Sequence, residues 1–355
     1  MGATKIMKAK TFLLKIFLLF SIPIFPLAIV SAQQRQQRAL NQTSPRTAQK
    51  SAPADPLLAA LPTSDAVMLV NLTRLLNDAL PRIYAGDPAK LAKVNAEIDG
   101  FRARTGIDPR SFERVAVGAR FVNTPSGASK IETVALAHGK FNAGTMLAAG
   151  RLAAKGKYRE EQHQGRSIYI FTIENQTKLL GLFPARLGEV AVAEIDANTL
   201  ALGTPSRVRA ALIAQQGTGR VDGELVALAT RNGNALIGFG GTVPDISSMN
   251  VLGNDEVSRA IAAVRQFYGS IDTTAQGFEM LLTARSQSAE QAKYLGDTLA
   301  AIKQIGGAMA SQLPGNRGRL AQVALGNLNI TTRGNEVQLQ LQLPQAEVGN
   351  LVREL

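Results

Sequence analysis

The chain has 355 residues, 45% hydrophobic and 5% aromatic, with neither Cys nor Trp, which suits one large or two ordinary globular domains and excludes disulfide and thiolate chemistry. Its formal charge of +12 is concentrated at the N-terminus: residues 1–55 hold eight Lys or Arg against Asp55 alone, leaving a net of +5 over 56–355. A body this mildly basic, with no basic stripe and few stacking aromatics, excludes nucleic acid as a partner.

The first 32 residues read as a signal peptide. Lys5, Lys8, Lys10 and Lys15 form a basic start, an apolar run of fifteen residues spans 16–30, and Val30-Ser31-Ala32 places small residues before a cut at Gln33. The alternative is an uncleaved inner-membrane anchor. Fifteen residues make a helix of about 22 Å, short of the roughly 30 Å hydrocarbon core. Pro23 and Pro26 would also interrupt it. Cleavage after Ala32 therefore predicts a periplasmic or secreted protein, with the membrane as a partner only if the segment is retained. Residues 33–54 are rich in Gln, Ser, Pro and Arg with almost nothing to bury, the composition of a disordered linker.

From residue 55 the pattern alternates between strands and helices. Residues 65–72 read as a buried strand, and Leu91, Val94, Ile98 and Phe101 form the apolar stripe of a helix ending near Gly106. Residues 114–121 and 132–141 read as strands joined by a loop containing Pro125, Ser126 and Gly127, and 143–155 as an Ala-rich helix. The stretch KYREEQHQGRSIYIF (157–171) then sets His163 beside Glu160 and Glu161. With Gln164-Gly165 as a two-residue turn, His163 faces Arg166, Glu161 faces Ile168, Glu160 faces Tyr169 and Tyr158 faces Phe171. Tyr158, Tyr169 and Phe171 then share one face. Glu161 and His163 share the other, which makes His163 a solvated turn residue beside Glu161 and Arg166. A lone His with one carboxylate is short of a zinc ligand set. Residues 189–203 read as two strands turning at Asp196-Ala197-Asn198, and Pro205 opens a helix running to about Gln215.

The second part repeats this order. Residues 234–243 read as a strand, followed by a helix capped by Asn254 or Asp255. Residues 266–274 and 277–286 pair as a hairpin. The helix 289–310 aligns Ala292, Leu295, Leu299, Ile302 and Met309 on one face, a stripe that reads as core. Residues 320–344 read as a hairpin turning at Arg333-Gly334-Asn335, and a last helix covers 345–355. Gln338, Gln340 and Gln342 form a neutral strand face that would invite association at a sheet edge. The expected fold class is therefore α+β: two similar halves, 55–218 and 219–355, each an antiparallel sheet with helices on one face.

No motif carries catalysis. His138 and His163 lie 25 residues apart, with no H-E-x-x-H, no G-x-S-x-G and no S-x-x-K. No Ser or Thr follows Lys140 or Lys157, so neither HGK nor KGK is a P-loop. GFGGTV (238–243) has Val243 where a dinucleotide fingerprint needs its third Gly, and reads as a tight strand exit. Paired carboxylates need only spatial placement, so Glu132, Glu160, Glu161, Glu194, Asp196 and Glu279 stay in view. No catalytic, cofactor-binding or metal-ligating residue is assigned and no cofactor is expected.

At ALAHGKFNAG, YREEQHQGRSIYIF and IDANTLALGTPSRVRAAL the chain resembles a broad group of exported bacterial proteins known as domains of unknown function. The resemblance covers residues 60–215. It implies export and an α+β fold, with no activity attached. The functional expectation is an exported non-catalytic envelope protein acting by binding or scaffolding, with a protein partner or a homo-oligomer. The alternatives are a carboxylate-based hydrolase with a site between the halves and a membrane-anchored accessory subunit.

Overall fold

A computed structural model of the protein describes residues 55–123, 129–172, 189–243, 255–312 and 315–354. The expected leader (1–32), the linker (33–54) and the loop at Pro125, Ser126 and Gly127 lie outside them. The first run of strands is β1 (Ala66–Asn71), β2 (Phe112–Asn123), β3 (Ser129–Gly139), β4 (Tyr158–His163), β5 (Arg166–Thr172), β6 (Glu189–Asp196) and β7 (Thr199–Gly203). The second run is β8 (Ile237–Thr242), β9 (Val264–Thr273), β10 (Gly277–Ser286), β11 (Leu328–Arg333) and β12 (Glu336–Pro344). All twelve join one sheet, ordered β11-β12-β10-β9-β8-β1-β2-β3-β7-β6-β5-β4. The fold is α+β, and the two runs form one continuous antiparallel sheet.

Their junction is the β1–β8 pair, with Val67 opposite Gly240 and Leu69 opposite Gly238. The connectivity on either side corresponds: outward from the junction the order is β1-β2-β3-β7-β6 one way and β8-β9-β10-β12-β11 the other. The first run adds the hairpin β4–β5 at its outer edge.

The helices are α1 (Pro56–Ala59), α2 (72–83), α3 (Pro88–Thr105), α4 (Ala143–Ala153), α5 (Pro205–Gln215), α6 (Gly223–Ala229), α7 (Asp255–Ala262), α8 (Ala289–Ala310), α9 (Gly315–Asn327) and α10 (Gln345–Glu354). They cover both faces of the central strands. Val67 and Leu69 of β1 pack in one core with Leu58 of α1, Val208 and Leu212 of α5, and Leu225 and Val226 of α6. Met68 and Val70 point to the opposite core, with Leu75 and Ile83 of α2, Val94 and Ile98 of α3, and Val348 of α10. This two-sided burial explains why β1 reads as an unbroken apolar run, each large side chain contributing roughly 1.5–3 kcal/mol.

Three helical stretches differ from the sequence expectation. Residues 320–327 are not the start of a strand but the end of α9. Leu325 there packs beside Gly306 of α8, which a Cβ at Gly306 would meet at 3.4 Å. Residues 72–83 form α2, capped by the Asn71 side chain accepting from Arg74 N–H. A π-helical turn, Leu75–Ala79, sends the Leu80 N–H back to the Leu75 carbonyl just ahead of Pro81. That widening makes room for a residue with no N–H of its own. The short α6 is the third, and it explains GFGGTV. A Cβ at Gly238 would overlap the Ala229 carbonyl oxygen, and one at Gly240 would lie 2.9 Å from the Leu228 Cβ. These glycines let α6 press onto β8; they are packing residues.

Candidate functional site

The β4–β5 hairpin has the anticipated register, with His163 opposite Arg166, Glu161 opposite Ile168, Glu160 opposite Tyr169 and Tyr158 opposite Phe171. Gln164 (φ 52) and Gly165 (φ 72) form the left-handed pair that a two-residue hairpin turn requires. On one face the Tyr158 ring centroid lies 6.0 Å from Tyr169 and 5.7 Å from Phe171, while Arg151 of α4 covers Tyr169 at 4.8 Å.

The other face meets α5. Glu161 accepts two hydrogen bonds from Arg209, Nε and Nη2 each at 2.6 Å. Arg209 holds the Glu161 carboxyl below the ordinary carboxylate range, against the opposing effect of desolvation. His163 is partly buried and its Nε2 is sheltered from solvent with no hydrogen-bond partner among the described residues. It is therefore not the solvated turn residue expected, because α5 closes over this end of the hairpin. Arg166 turns away to the Glu194 carbonyl at 3.1 Å. His138 pairs through Nδ1 with Thr199 Oγ1 at 3.1 Å, across the β3–β7 ladder.

The remaining acids are dispersed. Glu132 accepts from Ser206 at 2.9 Å, Glu160 from Ser167 at 2.7 Å, and Glu279 from Gln340 at 2.5 Å. Asp196 accepts from its own turn, at the Asn198 N–H. Among the described residues no three His, Cys, Asp or Glu side chains gather as a metal set. Gln338, Gln340 and Gln342 lie on β12, an interior strand between β10 and β11. The Gln ladder is thus not at a sheet edge, and Gln340 and Gln342 are held by Glu279.

A polar cluster joins the two runs instead. Asp78 on α2 accepts from Arg82 Nε at 2.6 Å, from Thr273 Oγ1 at 2.7 Å and from Arg74 Nη2 at 3.2 Å. Arg74 also reaches Asp272 at 2.8 Å and the Asn234 carbonyl, and Arg82 donates to the Thr274 carbonyl at 2.8 Å. The Thr273 hydroxyl first, then Arg82 and Arg74, hold the Asp78 carboxyl below its usual range, opposed by desolvation. Arg74, Asp78 and Arg82 sit at helical i, i+4 spacing. Their partners beyond α2 lie 160 to 198 positions away in sequence, so no local signal exposes the cluster.

Beside Arg82 lies a cleft of about 460 Å³, lined also by Tyr84, Asp87, Gln345, Ala346 and Gly349. Burial, with lesser contributions from Asp87 and Glu97, pushes the Tyr84 hydroxyl up to about 12. It is neutral at physiological pH. Asp87 is occupied in capping α3 at the Lys90 N–H. The cleft therefore offers a recess walled by a neutral phenol and a committed guanidinium rather than an acid–base pair.

The other notable surface is apolar. Four large apolar side chains are exposed on α8: Tyr294 (38%), Ile302 (38%), Ile305 (61%) and Met309 (62%). The stripe expected to be core divides around the helix, since Tyr294 near its start is exposed and Ala310 at its end is buried. Ala292 and Leu295 are buried against Val337 of β12, whereas Ile302 and Met309 are in solvent.

No protein-family model matches the chain, and no curated protein matches it. Among solved structures it is similar to two described as crystal forms III and I of TP0453, each at 10% identity, covering 85% of this chain and 98% of that one. The TM-scores are 0.46 and 0.40. Nothing about activity or partners passes between chains at that level of likeness. Among the described residues no helix is long and apolar enough to cross a membrane.

Proposed function

We propose that the protein is an exported, non-catalytic component of the bacterial cell envelope, acting by binding or scaffolding. One observation carries this reading: four of the six large apolar side chains exposed among the described residues lie on one helix, α8. Clustered apolar exposure is the mark of a contact surface, whereas scattered exposure is ordinary. Support for export comes from the basic start, apolar run and small-residue cut at Ala32. The corresponding strand orders support reading the body as two copies of one unit, 55–218 and 219–355, placed edge to edge.

The test is native mass spectrometry of the protein recovered from the envelope, alongside fractionation. A mass beginning at Gln33, with a bound protein or a second copy, is the expected result. An unprocessed chain in the cytoplasm overturns export, and defined turnover of a substrate overturns the non-catalytic reading.

A further inference from the structure

We propose that Arg207 of α5 and Arg120 of β2 form a binding site for a phosphate group, free or esterified. This goes beyond the binding-or-scaffold reading and does not depend on it. Arg207, in the first turn of α5, is the only buried cation among the described residues, at 4% exposure. Its Nη2 donates to the Thr63 carbonyl at 2.7 Å and to Ser64 Oγ at 3.0 Å. Its Nε is enclosed with no hydrogen-bond partner, and among the described residues no carboxylate touches the guanidinium. Nη1 has no partner there either, yet it is not enclosed. A buried charge is costly unless a group of opposite sign completes it.

A second guanidinium stands on the same side of the sheet. A Cβ at Gly118 would overlap Ser64 Oγ, so the serine that Arg207 binds lies over Gly118. Arg120 is the next residue on that face of β2. It is exposed and makes no hydrogen bond or ion pair among the described residues. Desolvation first, then repulsion from Arg120, lowers the Arg207 pKa. Two like charges are therefore held near each other with nothing between them to offset the repulsion.

The acids nearby are engaged elsewhere. Glu132, opposite Arg120 on β3, is held by Lys130 at 3.3 Å and by the Ser206 hydroxyl at 2.9 Å. Asp65 accepts from the Phe121 N–H at 2.8 Å. Glu132 thus already serves the first turn of α5, and the site is the guanidinium pair rather than the helix end. Arg120, Lys130 and Arg207 outnumber Asp65 and Glu132 by three to two. A guanidinium presents its N–H groups as a rigid fork that matches an oxyanion. Two such forks on one group suit a dianion, which favours phosphate over a single carboxylate.

The experiment uses the full chain as recovered from cells, in chloride buffer at fixed ionic strength. Inorganic phosphate is the probe, followed by phosphorus NMR line width and by the thermal midpoint. The wild type is expected to broaden the phosphate resonance, with half-saturation near about 1 mM, and to melt about 2 °C higher at about 10 mM phosphate. Arg120→Gln, a surface change, is expected to weaken binding at least about tenfold and to abolish the rise. It carries the test because Arg207 also holds the turn at Thr63 and Ser64. Arg104→Gln, exposed on α3 across the sheet, responds like the wild type. Glycerol phosphate separates the sources: binding equal to that of the free ion assigns the site to phosphate carried on a larger molecule, and binding of the free ion alone assigns it to inorganic phosphate. No broadening with either probe overturns the inference, as does equal broadening by the wild type and Arg120→Gln. Export is decided separately, since an unprocessed cytoplasmic chain that binds phosphate sinks export alone.

Discussion

Glu161 on β4 and Arg209 on α5 form a two-pronged ion pair, both nitrogen–oxygen distances being 2.6 Å. It joins the outermost hairpin of the sheet to the helix that covers it. The two side chains are 28% and 35% exposed, so solvent screening limits the contribution of the pair to about 0.5–1.5 kcal/mol. Arg209→Ala is expected to lower stability by that amount and to speed amide exchange in β4 and β5 ahead of the central strands. A double-mutant cycle with Glu161→Gln checks the coupling. A coupling near zero would mean that the hairpin is held by its aromatic face alone.

The approach of α6 to β8 leads to a second expectation. Gly238→Ala must displace the Ala229 backbone, whose carbonyl oxygen occupies the place of the new Cβ. Overpacking of this kind costs about 1–3 kcal/mol, and backbone yields less readily than a side chain. Urea unfolding should show that loss for Gly238→Ala. Gly223→Ala, where a Cβ meets nothing within 4 Å, should leave the midpoint nearly unchanged. Equal loss at both sites would mean that the helix–sheet contact does not set the cost, since replacing Gly by Ala on its own restricts the unfolded chain and favours folding.

The clamp around Asp78 has a defined pH signature. Its folded pKa is depressed, so its contribution is present above the unfolded carboxylate value and is lost as pH falls through the folded one. Asp78→Asn is expected to destabilise by about 1 kcal/mol at neutral pH, after discounting for the 30% exposure of the side chain. The gap between variant and wild type should close in acid. Thermal melts of both proteins across pH check this, and a gap that stays constant into acid would assign the loss to packing.

The parts legible in the sequence are those governed by neighbours along the chain. The register His163–Arg166 follows from a Gln-Gly turn and alternating residues. The end of α3 at Gly106 follows from a left-handed cap, φ 72. Parts set by distant partners were not legible. Nothing local in AVMLVN specifies that β1 pairs with β8 as well as β2. Nothing in YLGDTLAAIKQIGGAM distinguishes the buried Leu295 side of α8 from the exposed Ile305 and Met309, because a broad apolar stripe does not reveal how far round the helix the layer beneath it reaches. The Asp78 cluster was hidden for the same reason: one half of it lies on α2 and the other at the end of β9.

Glu97 on α3 shows the reverse sign. Its Oε2 is buried with no hydrogen-bond partner among the described residues, and desolvation raises its pKa, with Lys93 offsetting in part. A raised carboxyl favours the fold below the unfolded pKa, and that advantage disappears as pH rises through the folded value. Glu97→Gln removes the buried charge and nearly preserves the shape. It is expected to stabilise the protein at neutral pH by up to about 1 kcal/mol, the side chain being only partly sheltered, and to give no gain in acid. A second readout separates charge from shape. Because Glu97 contributes to the raised Tyr84 hydroxyl, the variant should ionise that phenol at lower pH in an alkaline ultraviolet titration. Stabilisation without the Tyr84 shift would trace the gain to packing on α3. A shift without stabilisation would mean that Lys93 already balances the charge.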